Sequence, residues 1–291
     1  MMNDLTVLIL TKNEELNIEK CIRSCSNVAK RLVIVDSFSD DNTEKICKRL
    51  AEEFREKNIT IDFYEHEWTD YSTQFNWGLN NTLISTKWVF RIDADEYLTP
   101  ELISEINTRL KKIKSNVYGV EIKRRIIFMG RWIRFGGMYP RFFLRIFRYG
   151  YGECEKRKMD EHIVVKGNAI IRFKNDLVDE NKKDLTWWIN KHNGYSIREK
   201  ADYLEYKTRR KAKTNEVVNM SFQAKMIRLL KEGCYYRLPL LMRAKMYYLI
   251  RYYFMLGFLD GTQGKIYHFL QAYWYRFIVD AKVFEDSIEN Q

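Results

Sequence analysis

The N-terminal third of the chain is a series of short apolar blocks, each ending abruptly in polar or acidic residues. Leu5–Leu10 has the length and composition of a buried strand, and Thr11-Lys12-Asn13-Glu14-Glu15-Leu16-Asn17 then opens a helix with apolar positions at Leu16, Ile18 and Ile22. The unit repeats: Arg31–Val35 reads as a second buried strand, ending in Asp36-Ser37-Phe38-Ser39-Asp40-Asp41-Asn42-Thr43 before a helix over Glu44–Lys57. Ile59–Tyr64 gives a third strand, and Trp88–Ile92 a fourth after the helical stretch Ser72–Asn81. Strands alternating with helices predict an α/β fold with a doubly wound, mostly parallel sheet. Such sheets bind ligands beyond the carboxyl ends of their strands. Here those ends are Thr11, Asp36, Glu65–Asp70 and Asp93–Glu96, all polar.

The fourth strand carries the sharpest signal. Trp88-Val89-Phe90-Arg91-Ile92 runs into Asp93-Ala94-Asp95-Glu96, three carboxylates within four residues. An ionised carboxylate in a core without a partner is too costly, so the strand end must open onto solvent, a cation or a ligand. Hard cations such as Mg2+ and Mn2+ bind through one or two carboxylates plus substrate phosphates. In an extended segment Asp93 and Asp95 point to the same side, one facing a nucleotide and the other reaching a metal. The competing reading is a solvated acidic turn that continues into a helix capped near Thr99-Pro100-Glu101.

Beyond residue 100 the pattern changes. Alternation in Tyr118–Ile127 and Arg141–Phe147 predicts strands, and Gly136-Gly137 and Gly150–Gly152 supply turns. Asp160-Glu161-His162 stands at the edge of the apolar run Ile163-Val164-Val165, a second candidate site. From Lys182 onward the chain reads as helices over Trp187–Lys211, Ser221–Gly233, Leu238–Gly257 and Gly264–Phe284, which divides it into residues 1–180 and 181–291. The longest mostly apolar runs there are eight residues, Tyr252–Leu259, and ten, Ile266–Tyr275. Both fall short of the roughly 18–20 residues that span a membrane. Tyr, Trp, Phe and Leu mixed with Lys and Arg fit either helices lying in a membrane interface or helices packed on the sheet.

Composition narrows the partners. The net charge of +11 is split: residues 1–100 carry a net of −6, which leaves +17 for residues 101–291. A basic second part points to an anionic surface or ligand. Five cysteines, odd in number and without zinc-like grouping, read as reduced thiols in a cytosolic protein. His66, His162 and His192 share no zinc-binding spacing. Leu5–Leu10 follows an acidic residue with no basic leader, so it reads as a strand and not as a signal.

Taken together, Thr11-Lys12-Asn13-Glu14-Glu15, Val35-Asp36-Ser37-x-Ser39-x-Asp41-x-Thr43 and Asp93-Ala94-Asp95-Glu96 after successive strands resemble the inverting glycosyltransferases of family 2. Further matches are Trp68-Thr69-Asp70, Gln74–Leu79, Gly137–Arg145, Glu161-His162, Lys191-His192-Asn193 and Gly257–Gly261, so the resemblance covers most of the chain. Within the family the chain is most similar to the bacterial branch that builds lipopolysaccharide core or other surface glycans, such as the lipopolysaccharide β-1,4-glucosyltransferases. The resemblance implies a GT-A fold, followed here by the helical, membrane-associating extension. It implies transfer of a hexose, glucose or an N-acetylhexosamine, from a UDP-sugar to a saccharide acceptor that is lipid-linked, at the inner face of the cell membrane.

The resemblance also implies roles. Thr11, Asn13, Glu14 and Asp36 surround the base and ribose, with Asp36 accepting from the uracil imide, and Gln74 and Asn76 face ribose or phosphate. Asp95 is the metal ligand for Mn2+ or Mg2+, with Asp93 nearer the ribose or sharing the cation. Glu161 is the base, although Asp160 stands where the family usually has His and is the alternative. Arg141 and Arg145 are candidates for binding diphosphate or an anionic acceptor. Two other classes compete. A nucleotidyltransferase would want a Gly-rich phosphate loop near the N-terminus, and none is visible. A non-enzymatic basic module for membranes or nucleic acid fits the +17 region. Acidic strand ends would repel a nucleic-acid backbone, so no nucleic-acid partner is expected.

Overall fold

A computed structural model describes residues 3–156, 161–167, 169–212 and 222–289. Four parallel strands form one half of a nine-stranded sheet: β1 (Asn3–Thr11), β2 (Ala29–Asp36), β3 (Thr60–Glu65) and β4 (Trp88–Asp93), in the order β3-β2-β1-β4. Between them run α1 (Ile18–Cys25), α2 (Thr43–Arg55) and α3 (Tyr71–Asn81). Alternate residues of each strand enter different layers. Leu5, Val7 and Ile9 pack with α1, α2 and α4 (Pro100–Arg109) through Ile22, Leu50 and Leu102, while Leu8, Val33 and Val35 meet Phe75 and Leu79 of α3. Burial on both faces is why these strands read as unbroken apolar runs. Asp70 starts α3 by accepting from the Thr73 amide at 2.7 Å, and Thr99 starts α4 by accepting from the Leu102 amide at 3.2 Å, as the Thr99-Pro100 signal predicts.

The second half of the sheet departs from a simple parallel arrangement. β5 (Glu96–Leu98), β6 (Val117–Phe128), β7 (Arg131–Ile133), β8 (Phe142–Arg148) and β11 (Ala169–Asp179) extend the order as β4-β8-β6-β11-β5, with β7 beside β6. β8 is antiparallel to β4 and to β6, and β5 is antiparallel to β11, whereas β6 and β11 run parallel. Only Ala94 and Asp95 separate β4 from β5, yet four ladder steps lie between them in the sheet. The sheet therefore curls until its far edge returns to the end of β4. β9 (Gly152–Cys154) and β10 (Ile163–Val165) pair as a separate hairpin.

The helical region consists of α5 (Leu185–Ala212), α6 (Phe222–Gly233), α7 (Met242–Leu249), α8 (Gly261–His268) and α9 (Tyr275–Glu289). A π-helical segment extends α7 over Ile250–Phe254, and another joins α8 to α9 over Phe269–Trp274. Among the described residues no helix is long and apolar enough to cross a membrane. This region is tied to the sheet by Asp260, whose buried carboxylate accepts from the backbone amides of Arg134 at 3.1 Å and Phe135 at 2.9 Å. Bonds to a buried ionised acceptor are each worth about 1.5–3 kcal/mol. Asp260→Asn should therefore lower unfolding stability by about 2–3 kcal/mol in urea denaturation; a change below about 0.5 kcal/mol would show that the carboxylate does not lock the two parts together.

Candidate active site

The four parallel strand tips stand level. Thr11 pairs in register with Asp36, Asp36 with Glu65, and Leu10 with Asp93. With strands about 4.8 Å apart, the backbones of Asp36 and Asp93, two strands apart, are about 10 Å from one another. The first cluster forms at the tips of β1 and β2. The Asp36 carboxylate accepts from Thr11 Oγ1 at 2.6 Å, from the Ser39 amide at 2.6 Å and from Ser39 Oγ at 2.7 Å. Asn13, in the left-handed region at φ 56°, donates its amide to Ser39 Oγ and accepts from the Asp40 amide, closing one loop onto the other. Glu14 accepts from Asn17 and pairs with Lys183 Nζ at 2.9 Å. Burial raises its carboxyl above the usual range, with the Asp95 charge adding to the effect and Asn17 and Lys183 opposing it.

The second cluster surrounds the turn between β4 and β5. Asp93 does not continue in an extended segment to Asp95: the strand ends at Asp93, Ala94-Asp95 form a turn, and Glu96 already belongs to β5. Same-side presentation of the two aspartates, expected from an extended backbone, is thus replaced by a bend. Arg145, on β8 and almost fully buried, lies between the two flanking acids, with Nη2 2.5 Å from Glu96 and Nη1 3.6 Å from Asp93. Arg91 donates to the Tyr71 hydroxyl at 2.5 Å, and that hydroxyl donates to Asp93 at 2.9 Å. Burial would raise Asp93, but the Arg91 and Arg145 guanidiniums outweigh it and hold the carboxyl far below the usual range. Burial pushes Glu96 up despite Arg145, and Asp93 reinforces the push. Across the curl, burial and then the charges of Asp95 and Asp93 likewise raise Asp179 at the end of β11, against Arg124 at 3.3 Å. Asp95 accepts from Asn181 Nδ2 at 2.9 Å.

Beside this turn lies a cavity of about 320 Å³. Asp93, Arg145 and Glu161 line it together, along with Trp68, Tyr195 and Arg198. Glu161 reaches the cavity on the β9–β10 hairpin, where the Glu155 amide donates to the His162 carbonyl at 2.9 Å. Asp160 lies outside the described residues. Gln74 and Asn76 do not face the cavity; both amides are engaged inside the protein. Asn76 donates to the Cys154 carbonyl at 2.8 Å and accepts from the Cys154 amide at 2.9 Å, which clamps α3 to the hairpin. Gln74 joins Ser37 to His66, with bonds of 3.0 Å to Ser37 Oγ and 2.6 Å to His66 Nδ1. Arg141 is also set apart from Arg145, its Nε donating to the Gly137 carbonyl at 2.9 Å. Sequence reasoning passed over Tyr71, Arg91, Arg124 and Asp179. Arg91 and Tyr71 carried a signal, being polar groups inside and just after quoted motifs. Asp179 carried none, since β11 is broken by Arg172, Lys174 and Asn175.

Acids cluster at the tips of the parallel strands, beside a cavity that a carboxylate on a separate hairpin also lines, and the chain belongs to glycosyl transferase family 2, whose model matches residues 6–177. Among its relatives, it is 30% identical over 200 residues to the lipopolysaccharide core biosynthesis glycosyltransferase LpsC of Rhizobium meliloti, covering 66% of this chain and 68% of that protein. It is 31% identical over 130 residues to the uncharacterized glycosyltransferase RT0209 of Rickettsia typhi, covering 44% of this chain and 41% of that one, so it spans less than half of that relative. In fold it is similar to the mannosyltransferase PcManGT from Pyrobaculum calidifontis, solved with GDP-Man and Mn2+, at a TM-score of 0.57 and 16% identity over 98% of this chain and 88% of that one. The fold is thus GT-A-like with a C-terminal helical region.

The buried triad gives a direct test. Removing one partner of a buried ion pair costs about 3–5 kcal/mol, because the other charge remains uncompensated. Arg145→Met should lose about that much stability, and the double variant Arg145→Met/Glu96→Gln should recover most of it. If the double variant is no more stable than the single one in urea denaturation, Glu96 and Arg145 do not neutralise each other.

Proposed function

We propose that this glycosyltransferase moves a hexose, glucose or an N-acetylhexosamine, from a UDP-sugar to a lipid-linked saccharide acceptor of bacterial lipopolysaccharide or another surface glycan, with inversion at C1. The observation that carries the reading is the level alignment of Asp36, Thr11 and Asp93 at neighbouring strand tips, with Glu161 lining the same cavity as Asp93. A carboxylate offers about four acceptor positions. Three bonds fix Asp36, and the remaining position suits the uracil N3–H. A base that presented an acceptor there would be rejected, since two lone pairs would face each other. Asn13 and Glu14 close the loop above Asp36 and frame the ribose.

Asp93 is committed to Tyr71, Arg91 and Arg145, and orients the sugar side of the nucleotide. Asp95, at the outer point of the turn and partly exposed, is the carboxylate left to hold Mn2+ or Mg2+. Its charge already raises Asp179 and Glu14, and a cation would offset that repulsion. Among the described residues no group of three His, Cys, Asp or Glu side chains forms a preformed cage. That suits a hard cation held by one or two carboxylates and completed by substrate phosphates. When bound, such a cation neutralises charge developing on the departing diphosphate. Lys183 and Lys191 lie near the same carboxylates and add positive charge.

Glu161 acts as general base. The acceptor hydroxyl loses its proton to the Glu161 carboxylate while its oxygen bonds to C1 on the face opposite UDP, and the C1–O bond to the diphosphate breaks with its electron pair leaving on UDP. Trp68 and Tyr195 supply ring surfaces for sugar faces in the same cavity. Asp160 is the alternative base. Exposed apolar side chains such as Leu229, Phe254 and Met255, with Arg237, Lys245 and Lys265 on the same region, support docking of the helical part on the anionic inner face of the membrane.

Three measurements check this. Thermal-shift screening of UDP-, GDP-, dTDP- and CMP-sugars with and without Mn2+ should show selective, metal-enhanced stabilisation by UDP-sugars; stabilisation by another nucleotide alone would refute the donor assignment. Asp95→Asn should abolish metal-stimulated transfer, and unchanged activity would remove Asp95 from the site. Glu161→Gln should retain UDP-sugar affinity while turnover falls by roughly two to four orders of magnitude. If Asp160→Asn shows that split and Glu161→Gln does not, the proton goes to Asp160.

A further inference from the structure

Among the described residues, the buried guanidiniums of Arg145 and Arg243 have carboxylate partners and that of Arg148 rests on the carbonyls of Val117 and Lys114, while Arg251 and the partly buried Arg141 form a pair of cations with no carboxylate partner. Arg251 is only 2% exposed, yet its hydrogen bonds run to neutral groups: the Gly136 carbonyl at 2.7 Å, the Tyr247 hydroxyl at 3.5 Å, Gln271 Oε1 and the Met138 sulfur. Arg141 sits on the next carbonyl, Gly137 O, at 2.9 Å. Among the described residues neither guanidinium has a carboxylate within ion-pair distance. Two guanidiniums on consecutive carbonyls, left without an anion in a sheltered place, are costly unless a ligand supplies the charge.

The surroundings register this excess. Burial would raise the Tyr247 phenol, but Arg251, Arg276 and Arg141 override it and bring it down to about 8. Burial draws Arg141 below its ordinary value, with Arg251 and Arg124 adding to the effect and Tyr247 and Tyr267 opposing it. Arg141 and Tyr247 remain partly exposed, so the cluster opens outward. What it opens beside is apolar. The Gly136 amide donates to the Met255 carbonyl at 2.9 Å, and Phe254, Met255 and Leu256 expose 82%, 45% and 45% of their surface. Gly136 and Gly137 hold positive φ of 65° and 71°, and a Cβ on Gly137 would lie 2.7 Å from Met255 Cε, so the loop is pressed against this apolar rim.

We propose that Arg141, Arg251 and Tyr247 form a subsite for a phosphate group borne by the amphiphilic acceptor, with the acceptor's lipid resting on the rim at Phe254, Met255 and Leu256. This rests on the reading of the chain as a glycosyltransferase with a lipid-linked acceptor, and assigns the acceptor a lipid-borne phosphate. Arg124 adjoins the subsite through its amide, which donates to the Arg141 carbonyl at 3.1 Å, while its side chain pairs with Asp179 and Glu96 at the turn.

The test uses the full chain and three probes below their micellar concentrations: dihexanoyl phosphatidic acid, dihexanoyl phosphatidylcholine and inorganic phosphate, each titrated by calorimetry, with UDP in parallel. Phosphatidic acid should bind at least tenfold tighter than the other two, and Arg141→Gln should weaken it at least tenfold while UDP affinity stays within twofold. Tyr247→Phe, which keeps the ring and the guanidiniums, should weaken it two- to fivefold, and unchanged melting of both variants reports intact folding. Equal binding of inorganic phosphate would refute the lipid source, and unchanged phosphatidic acid binding in both variants would refute the subsite. If Arg141→Gln weakens UDP instead, the cluster serves the donor diphosphate; the subsite is then wrong while the transferase reading stands. Loss of UDP binding by the wild-type chain would refute that reading independently.

Discussion

The guanidinium of Arg145 on β8 is almost fully buried and is met by carboxylates, and that pairing of charge organises the rest of the site. Its two carboxylates come from either side of a two-residue turn, Asp93 closing β4 and Glu96 opening β5. To keep Glu96 against Arg145 while β5 pairs with β11, the sheet has to curl around the turn. The curl brings Arg124 and Asp179 to the same place, so one charge requirement gathers residues scattered over the sequence from position 91 to 179. It also leaves Asp95 as the odd carboxylate. Flanked by acids that already have cations, it stands partly exposed in the turn and accepts from Asn181 Nδ2.

The same physics explains what could be read in the sequence. β1, β2 and β4 were legible because both faces are buried, which makes each strand an apolar run that stops where the ligand side begins. The Thr99-Pro100 cap was legible because capping is local chemistry. β5 was not: three residues are too few to show a period. β11 was hidden by polar residues, with its ladder to β6 shifting between Arg172 and Asp176. The extended reading of Asp93-Ala94-Asp95 failed because the backbone bends to satisfy β5, a long-range pairing that no local window contains.

Side-chain amides illustrate a different limit. Motif position alone put Gln74 and Asn76 toward the ligand, yet each has two-sided hydrogen-bonding capacity that buried backbone can use equally well. Asn76 satisfies both the amide and the carbonyl of Cys154 and so ties α3 to the strand pair whose other strand follows Glu161. Tyr71 is comparable. Its hydroxyl relays Arg91 to Asp93, so a residue with no charge of its own orients a carboxylate that the neighbouring guanidiniums hold far below the usual range.

Net charge was the coarsest guide, and the structure shows why it overstates the basic face. Of the cations that make residues 101–291 strongly positive, many are spent internally. Arg125 pairs with Asp176, Arg172 with Glu121, and Arg243 with Asp280, while Arg148 bonds the carbonyls of Val117 and Lys114. Such groups report on packing of the sheet and helices and say little about partners. The informative cations are those left after pairing, and they fall into two kinds. Lys245 and Lys265 are exposed on the helical surface among exposed apolar side chains, with no fixed partner among the described residues. Arg141 and Arg251 are instead sheltered and held on fixed carbonyls, so their orientation is set before any ligand arrives. Preorganised charge of that kind selects a particular anion, because the ordering has already been done when the ligand binds.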